Sequence, residues 1–129
     1  MLICDNSIRE EGTGKVSLIG IFAGIVASKF PMVHPSLCVY VNLGDAQGKY
    51  PLRLELIRAA DMRTIGRGDG ALEVHDLRKP AEIVFELKGL VFESPGRYEF
   101  VLYANDRFVG KKSFDVLQLD SRPGKGQGP

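Results

Sequence analysis

Few residues in this chain have the types and spacing that chemistry requires. A cysteine nucleophile needs an oriented base beside it, and the only candidates are Cys38 with His34 or His75. Cys38 lies in an alternating apolar stretch rather than at a helix start, and nothing near it in sequence is suited to lower its pKa. Cys38 and Cys4 therefore read as small apolar residues, and His34, before Pro35, as a hydrogen-bonding loop residue. Gly14-Lys15 ends like a phosphate-binding loop, but Val16 follows where a hydroxyl is needed and Arg9 stands where the first glycine belongs. Arg67-Gly68-Asp69 spells a cell-adhesion tripeptide, which inside a glycine-rich strand is a chance match. No nucleophile, base and stabilising donor can be assembled, so the chain is expected to be non-catalytic, with no catalytic residue and no cofactor.

Metal binding has a geometric argument. In a sandwich of antiparallel strands every second loop falls at the same end, which gathers Asp45, His75 with Asp76, and Asn105 with Asp106. Glu10 and Glu11 join them if the stretch from Gly24 to Pro35 holds no complete strand. Oxygens converging there suit calcium. The same residues are ordinary turn formers, and no loop has the dense Asp-x-Asp spacing of a dedicated site. Asp45, Asp76 and Asp106 thus define the alternative function, a divalent-metal or small-ligand sensor.

The principal expectation is a protein-interaction or assembly module. If the strands pair as in immunoglobulin-like sandwiches, those carrying Tyr40, Ile57, Tyr103 and Val109 share one sheet. These residues then point away from the core together with Cys38 and Val101, rimmed by Arg53, Glu55, Glu99 and Lys111. Apolar area framed by charge marks a contact for a partner protein or a second copy. An accessible edge strand offers another route, by strand addition.

These residues must be positioned by strands. Leu2 to Ile8 alternates and stops at the glycine-flanked turn Gly12-Thr13-Gly14. Lys15 to Ala23 is apolar on both faces, as a central buried strand would be. Gly24 to Pro35 is irregular, either a crossing connection or a short edge strand. Leu37 to Leu43 and Leu52 to Ile57 alternate around a turn at Gly44 to Gly48 and read as a second hairpin. Thr64 to Val74 carries Gly66, Gly68 and Gly70, the mark of a weak, bulged strand at a sheet edge. Ile83 to Lys88 follows, and Tyr98 to Ala104 and Phe108 to Val116 close the chain as a hairpin around Asn105-Asp106-Arg107. Gly96-Arg97-Tyr98 has the shape of a tyrosine corner, with Phe100 where an antibody domain has its second cysteine.

About eight strands with no helical period predict an all-β fold, an immunoglobulin-like antiparallel sandwich over residues 1–118. Residues 119–129, rich in glycine and proline, are expected to be a disordered tail. The expected core is Val16, Leu18, Phe22, Val39, Val41, Leu54, Leu56, Ile83, Phe85, Tyr98, Phe100, Leu102 and Phe114.

Composition limits the partners. Seventeen basic against 16 acidic residues give a formal +1, so the totals carry no footprint for nucleic acid or an anionic membrane. No run approaches the ~20 apolar residues of a membrane span. The first residues lack the pattern of a signal peptide, so a cytoplasmic location is expected, with both cysteines reduced.

Three long segments carry a resemblance. They are Cys4-Asp5-Asn6-Ser7-Ile8-Arg9 with its continuation to Phe22, Phe30-Pro31-Met32-Val33-His34-Pro35 with its continuation to Val41, and Leu90-Val91-Phe92-Glu93-Ser94-Pro95-Gly96-Arg97-Tyr98-Glu99-Phe100. On them the chain is similar to a family of short, functionally uncharacterised bacterial proteins, up to about Val116. That resemblance implies no activity and transfers no functional residue.

Overall fold

Period-two runs of apolar residues become strands in the computed structural model, which describes residues 1–44, 48–75, 78 and 81–119. The strands are β1 (Leu2–Arg9), β2 (Val16–Ile21), β3 (Gly24–Ala27), β4 (Met32–Leu43), β5 (Gly48–Arg58), β6 (Arg63–Val74), β7 (Ala81–Phe92), β8 (Gly96–Ala104) and β9 (Arg107–Gln118). They form a sandwich of two sheets, a back sheet ordered β2-β1-β4-β7 and a front sheet ordered β3-β9-β8-β5-β6. All pairings are antiparallel except that of β3 with β9. The irregular stretch therefore holds a short edge strand, one more than the expected eight or so. No helix among the described residues is long and apolar enough to cross a membrane. The expected tail lies, from residue 120 on, outside the described residues.

The inward positions fill one core. Leu37, Val39 and Val41 of the back sheet meet Leu52, Leu54, Leu56, Phe100 and Leu102 of the front sheet. Tyr98 is fully buried, and its hydroxyl donates a 2.6 Å hydrogen bond to the carbonyl oxygen of Ser94. The bond closes the chain back on itself four residues upstream of Tyr98. Edge-on to the Tyr98 ring lies Phe92 of the back sheet, with centroids 4.9 Å apart, and Phe114 stacks 5.4 Å from Phe100.

Three expectations are corrected. The strands on either side of the Gly44 to Gly48 turn are not a hairpin, because β4 pairs with β1 and β7 while β5 pairs with β6 and β8. The turn passes from one sheet to the other. Nor is β2 a buried central strand, since it is the edge of the back sheet, and Val16 and Leu18 lie outside the core cluster. Phe22 and Ile83 are only half-buried against that cluster. Finally, β7 runs on to Phe92, because Gly89, with φ of 64°, resets its alternation and returns Leu90 and Phe92 to the core.

The glycines of β6 have a packing reason. This strand is indeed an edge, and its register with β5 shifts between Leu56 and Ile57. Gly66, Gly68 and Gly70 face inward, where a Cβ would stand 2.7 Å from Leu90, 3.2 Å from Leu87 and 2.8 Å from Ile83. Bare backbone here lets the front sheet close directly onto the side chains of β7. Gly66→Ala and Gly70→Ala are expected to cost about 1–3 kcal/mol each by overpacking, whereas Gly110→Ala, with nothing within 4 Å, should stay within about 0.5 kcal/mol; urea denaturation measures both.

The β5–β6 turn is clamped by charge. Arg58 donates 3.0 and 2.6 Å hydrogen bonds to the two carboxylate oxygens of Asp61. This guanidinium holds the Asp61 carboxyl down, from 3.8 to about 2. A depressed carboxyl contributes stability above its unfolded pKa and loses it as pH falls through the folded value. The stability difference between wild type and Asp61→Asn should therefore be full above pH 3.8 and vanish below about 2, and in Arg58→Ala the pKa of the Asp61 carboxyl should rise toward 3.8 by NMR, held back by the Arg63 backbone N–H that still donates to it.

Candidate functional site

The outer face of the front sheet gathers most of the expected contact residues, and the register shows how. Strands β6, β5, β8 and β9 align in rows, and one row reads Asp69, Arg53, Tyr103, Phe108. The next outward row reads Arg67, Glu55, Val101, Lys111, and the third brings Thr64, Ile57, Glu99 and Ser113 together. Ile57, Val101, Tyr103 and Val109 thus share a sheet, as expected.

Tyr40 does not. It lies on β4 of the back sheet, opposite Leu2 and Val84, for the reason already given: the turn after β4 changes sheets. Its hydroxyl donates to the Glu82 carboxylate, and that bond raises the tyrosine pKa.

The contact face is less apolar than expected. Ile57 and Val101 are each only 7% exposed. Glu55 and Lys111 flank Val101 in its row, and Lys111 reaches Glu99 at 3.1 Å, so that the aliphatic stems of long side chains shield the valine. The Lys111 ammonium, helped by the Ser113 hydroxyl, holds the Glu99 carboxyl below its usual range.

Apolar exposure on this sheet collects instead in two places, the paired Val26 and Leu117 at the β3 edge and the end beside the β8–β9 turn. Phe108 is 61% exposed and Val109 42%. Phe108 sits 6.5 Å from the Tyr103 ring, edge-on, because the register shifts between Leu102 and Tyr103 and leaves Val109 as the extra residue. A simple alternation points Phe108 inward; the bulge turns it out. The consecutive apolar pair Phe108-Val109 before Gly110 was the available signal.

Arg53 organises this end. Its guanidinium lies 4.4 Å from the Tyr103 ring centroid, within cation–π range. It also donates to Glu55 at 2.7 Å and to Asp106 at 2.5 Å, and the Asp106 bond is the main cause of its raised pKa. Asp106 is held in place by the β8–β9 turn, where Asn105 and Asp106 have φ of 51° and 61°, the type I′ geometry that Asn and Asp tolerate. A shallow cleft of about 200 Å³ opens between Pro51, Arg53, Arg67, Asp69, Tyr103 and Asp106.

The loop-end metal reading fares differently. Asp45 and Asp76 lie outside the described residues. Asp106 is engaged with Arg53, and His75 Nε2 lies 2.6 Å from Glu73. Among the described residues no three His, Cys, Asp or Glu side chains group closely enough to hold a metal ion.

Part of the outer face of the back sheet is covered by the β1–β2 hairpin, while the paired Val33 and Val91 at its far end stay 59% and 42% exposed. Pairing of β1 with β4 ends at Cys4, while its pairing with β2 continues to Arg9. Beyond that point the β1–β2 hairpin folds across the sheet, setting Ser7 Oγ 4.0 Å from Cys38 Sγ and Arg9 3.9 Å from Glu82. The fold-over leaves Ile8 and Ile19 on the solvent side. Beneath it Cys4 and Cys38 stand directly opposite each other as free thiols, 0% and 3% exposed. Burial is the main cause that raises the Cys4 pKa. Cys38 therefore meets a second thiol and a serine, not a histidine base. Both thiols should be unreactive toward a water-soluble disulfide reagent in the native protein and titrate fully in urea; rapid native labelling would show that the hairpin does not cover them.

No curated protein matches the chain. A family model does, over residues 1–117, nearly the whole of the sandwich. The chain belongs to that family, a family of unknown function designated DUF6941.

Proposed function

We propose that the chain is a non-catalytic protein-interaction or assembly module whose contact is the aromatic end of the front sheet. The observation that carries this reading is the row Arg53, Tyr103, Phe108, in which an exposed phenylalanine stands beside a tyrosine already stacked under an arginine. Tyrosine and arginine are the residue types that dominate contact energies, and a side chain ordered beforehand loses little entropy on binding. The charged rows beside it supply a polar rim.

The finer expectations belong to the same reading. The sheet orders and the Tyr98 to Ser94 bond support an immunoglobulin-like arrangement. Two facing, unlinked thiols suit the reducing cytoplasm of a bacterial cell. The occupant of the face is a partner protein or a second copy, rather than nucleic acid or membrane.

The test is a pair of variants, Phe108→Glu and Tyr103→Glu, with Val33→Glu on the other sheet as control. Partner recovery from native cells and self-association by light scattering are compared for all three. The front-face variants should weaken association by about 2 kcal/mol or more, roughly thirtyfold, at unchanged melting temperature, and the control should not. Undiminished association in both front-face variants would reject this contact.

A further inference from the structure

A second concavity lies at the opposite flank of the sandwich, where β1 bends, β3 begins and the start of β4 passes beneath. It measures about 320 Å³, the lower end of the range for small-molecule sites. Its apolar walls are Phe22, Ile25 and Met32, and its polar groups are the Asp5 carboxylate and the His34 imidazole. Ile25 belongs to the core, and Phe22 and Met32 pack against it, so these walls are fixed.

The carboxylate of Asp5, an exposed residue, lies close against the neighbouring strand. A Cβ at Gly20 would overlap Asp5 Oδ2 and stand 3.0 Å from Asp5 Cγ, so the acid lies flat against bare backbone. Gly20 also has φ of 71°, in the left-handed region that favours glycine. Yet among the described residues the Asp5 carboxylate has no hydrogen-bond or ion-pair partner, and the His34 ring has only the tilted contact with Phe22 at 6.1 Å.

The chemistry of this set has a sign. A carboxylate can only accept hydrogen bonds, an imidazole can accept at one ring nitrogen while it donates at the other, and the face of Phe22 attracts cations. An anion would meet the carboxylate. We propose that this cleft binds a small primary amine in its ammonium form, carried on a compact apolar body that lies against Phe22, Ile25 and Met32. A free amine and the amino terminus of a peptide present that same chemistry.

The full-length protein is titrated with 2-phenylethylamine and, separately, with 3-phenylpropionate, following backbone amide shifts and melting temperature. The amine should produce saturable shifts at Phe22, Gly24 and His34 and bind at least about tenfold more tightly than the acid. Asp5→Asn should remove that preference, while an unliganded melting temperature near wild type shows that the variant folds. The wild-type comparison of amine with acid stands without any variant. Phe-Gly-Gly and its N-acetylated form assign the source: binding of the free peptide alone points to a chain terminus, and exclusion of both points to a free amine, either result upholding the ammonium site. No saturable shift up to ~10 mM amine, equal binding of amine and acid, or an amine affinity unchanged in Asp5→Asn would overturn the proposal.

Discussion

The sandwich depends on one buried tyrosine. Tyr98 is fully enclosed, yet its hydroxyl is satisfied by the Ser94 carbonyl at 2.6 Å, so burial costs it no hydrogen bond. The same ring meets Phe92 edge-on and stacks near Phe114, joining the back sheet to the front at the point where the chain crosses between them. Aromatic pairs of this geometry contribute about 0.5–1.5 kcal/mol each beyond the area they bury. The larger effect is on topology. By anchoring the start of β8, Tyr98 places β8 and β9 in the front sheet and so decides which side chains line its outer face.

From that anchor the two outer faces diverge. The β1–β2 hairpin folds over the back sheet, so its outward thiols are buried and Tyr40 is tied to Glu82. Among the described residues no hairpin lies over the front sheet. Its long side chains satisfy one another instead, in the pairs Arg53–Glu55, Arg67–Asp69, Lys111–Glu99 and Arg97–Asp115. Exposed ion pairs add little to stability. What they do here is shield Ile57 and Val101 and confine exposed aromatic area to the end beside the β8–β9 turn, with Arg53 ordered above Tyr103. An interaction surface and a solvated sheet face are thus built from one set of residues.

Glycine shapes both flanks for the same steric reason. In β6 the missing Cβ atoms admit the side chains of β7, and at Gly20 the missing Cβ admits the Asp5 carboxylate. One closes the core and the other leaves an acid lying beside an apolar cleft. The two flanks differ in outcome because hydrocarbon fills the first space, whereas the second is an open cleft where, among the described residues, the Asp5 carboxylate has no hydrogen-bond or ion-pair partner.

Much of this was written in local pattern. Alternation of side chains is a property of each strand alone, so the runs 37–43, 52–57 and 98–104, the hairpin turn at Asn105-Asp106 and the edge character of the glycine strand could all be read from the residues. Membership of a sheet is a property of pairs far apart in the chain, and no alternation encodes it. Hence Tyr40, one turn away from β5 in sequence, lies on the opposite side of the molecule. Bulges defeat the pattern in a second way, because one extra residue reverses every later side chain. Val109, the extra residue of β9, puts Phe108 on the face opposite to the one that alternation back from Phe114 would give it, whereas at Gly89 the alternation of β7 resets with no change of register against β4. The sequence by itself determined that these residues form strands with one oily side. Only tertiary packing decided which oily sides meet, that the first hairpin covers the two thiols, and that Phe108 is left facing water, because each of those outcomes is set by contacts between segments rather than within them.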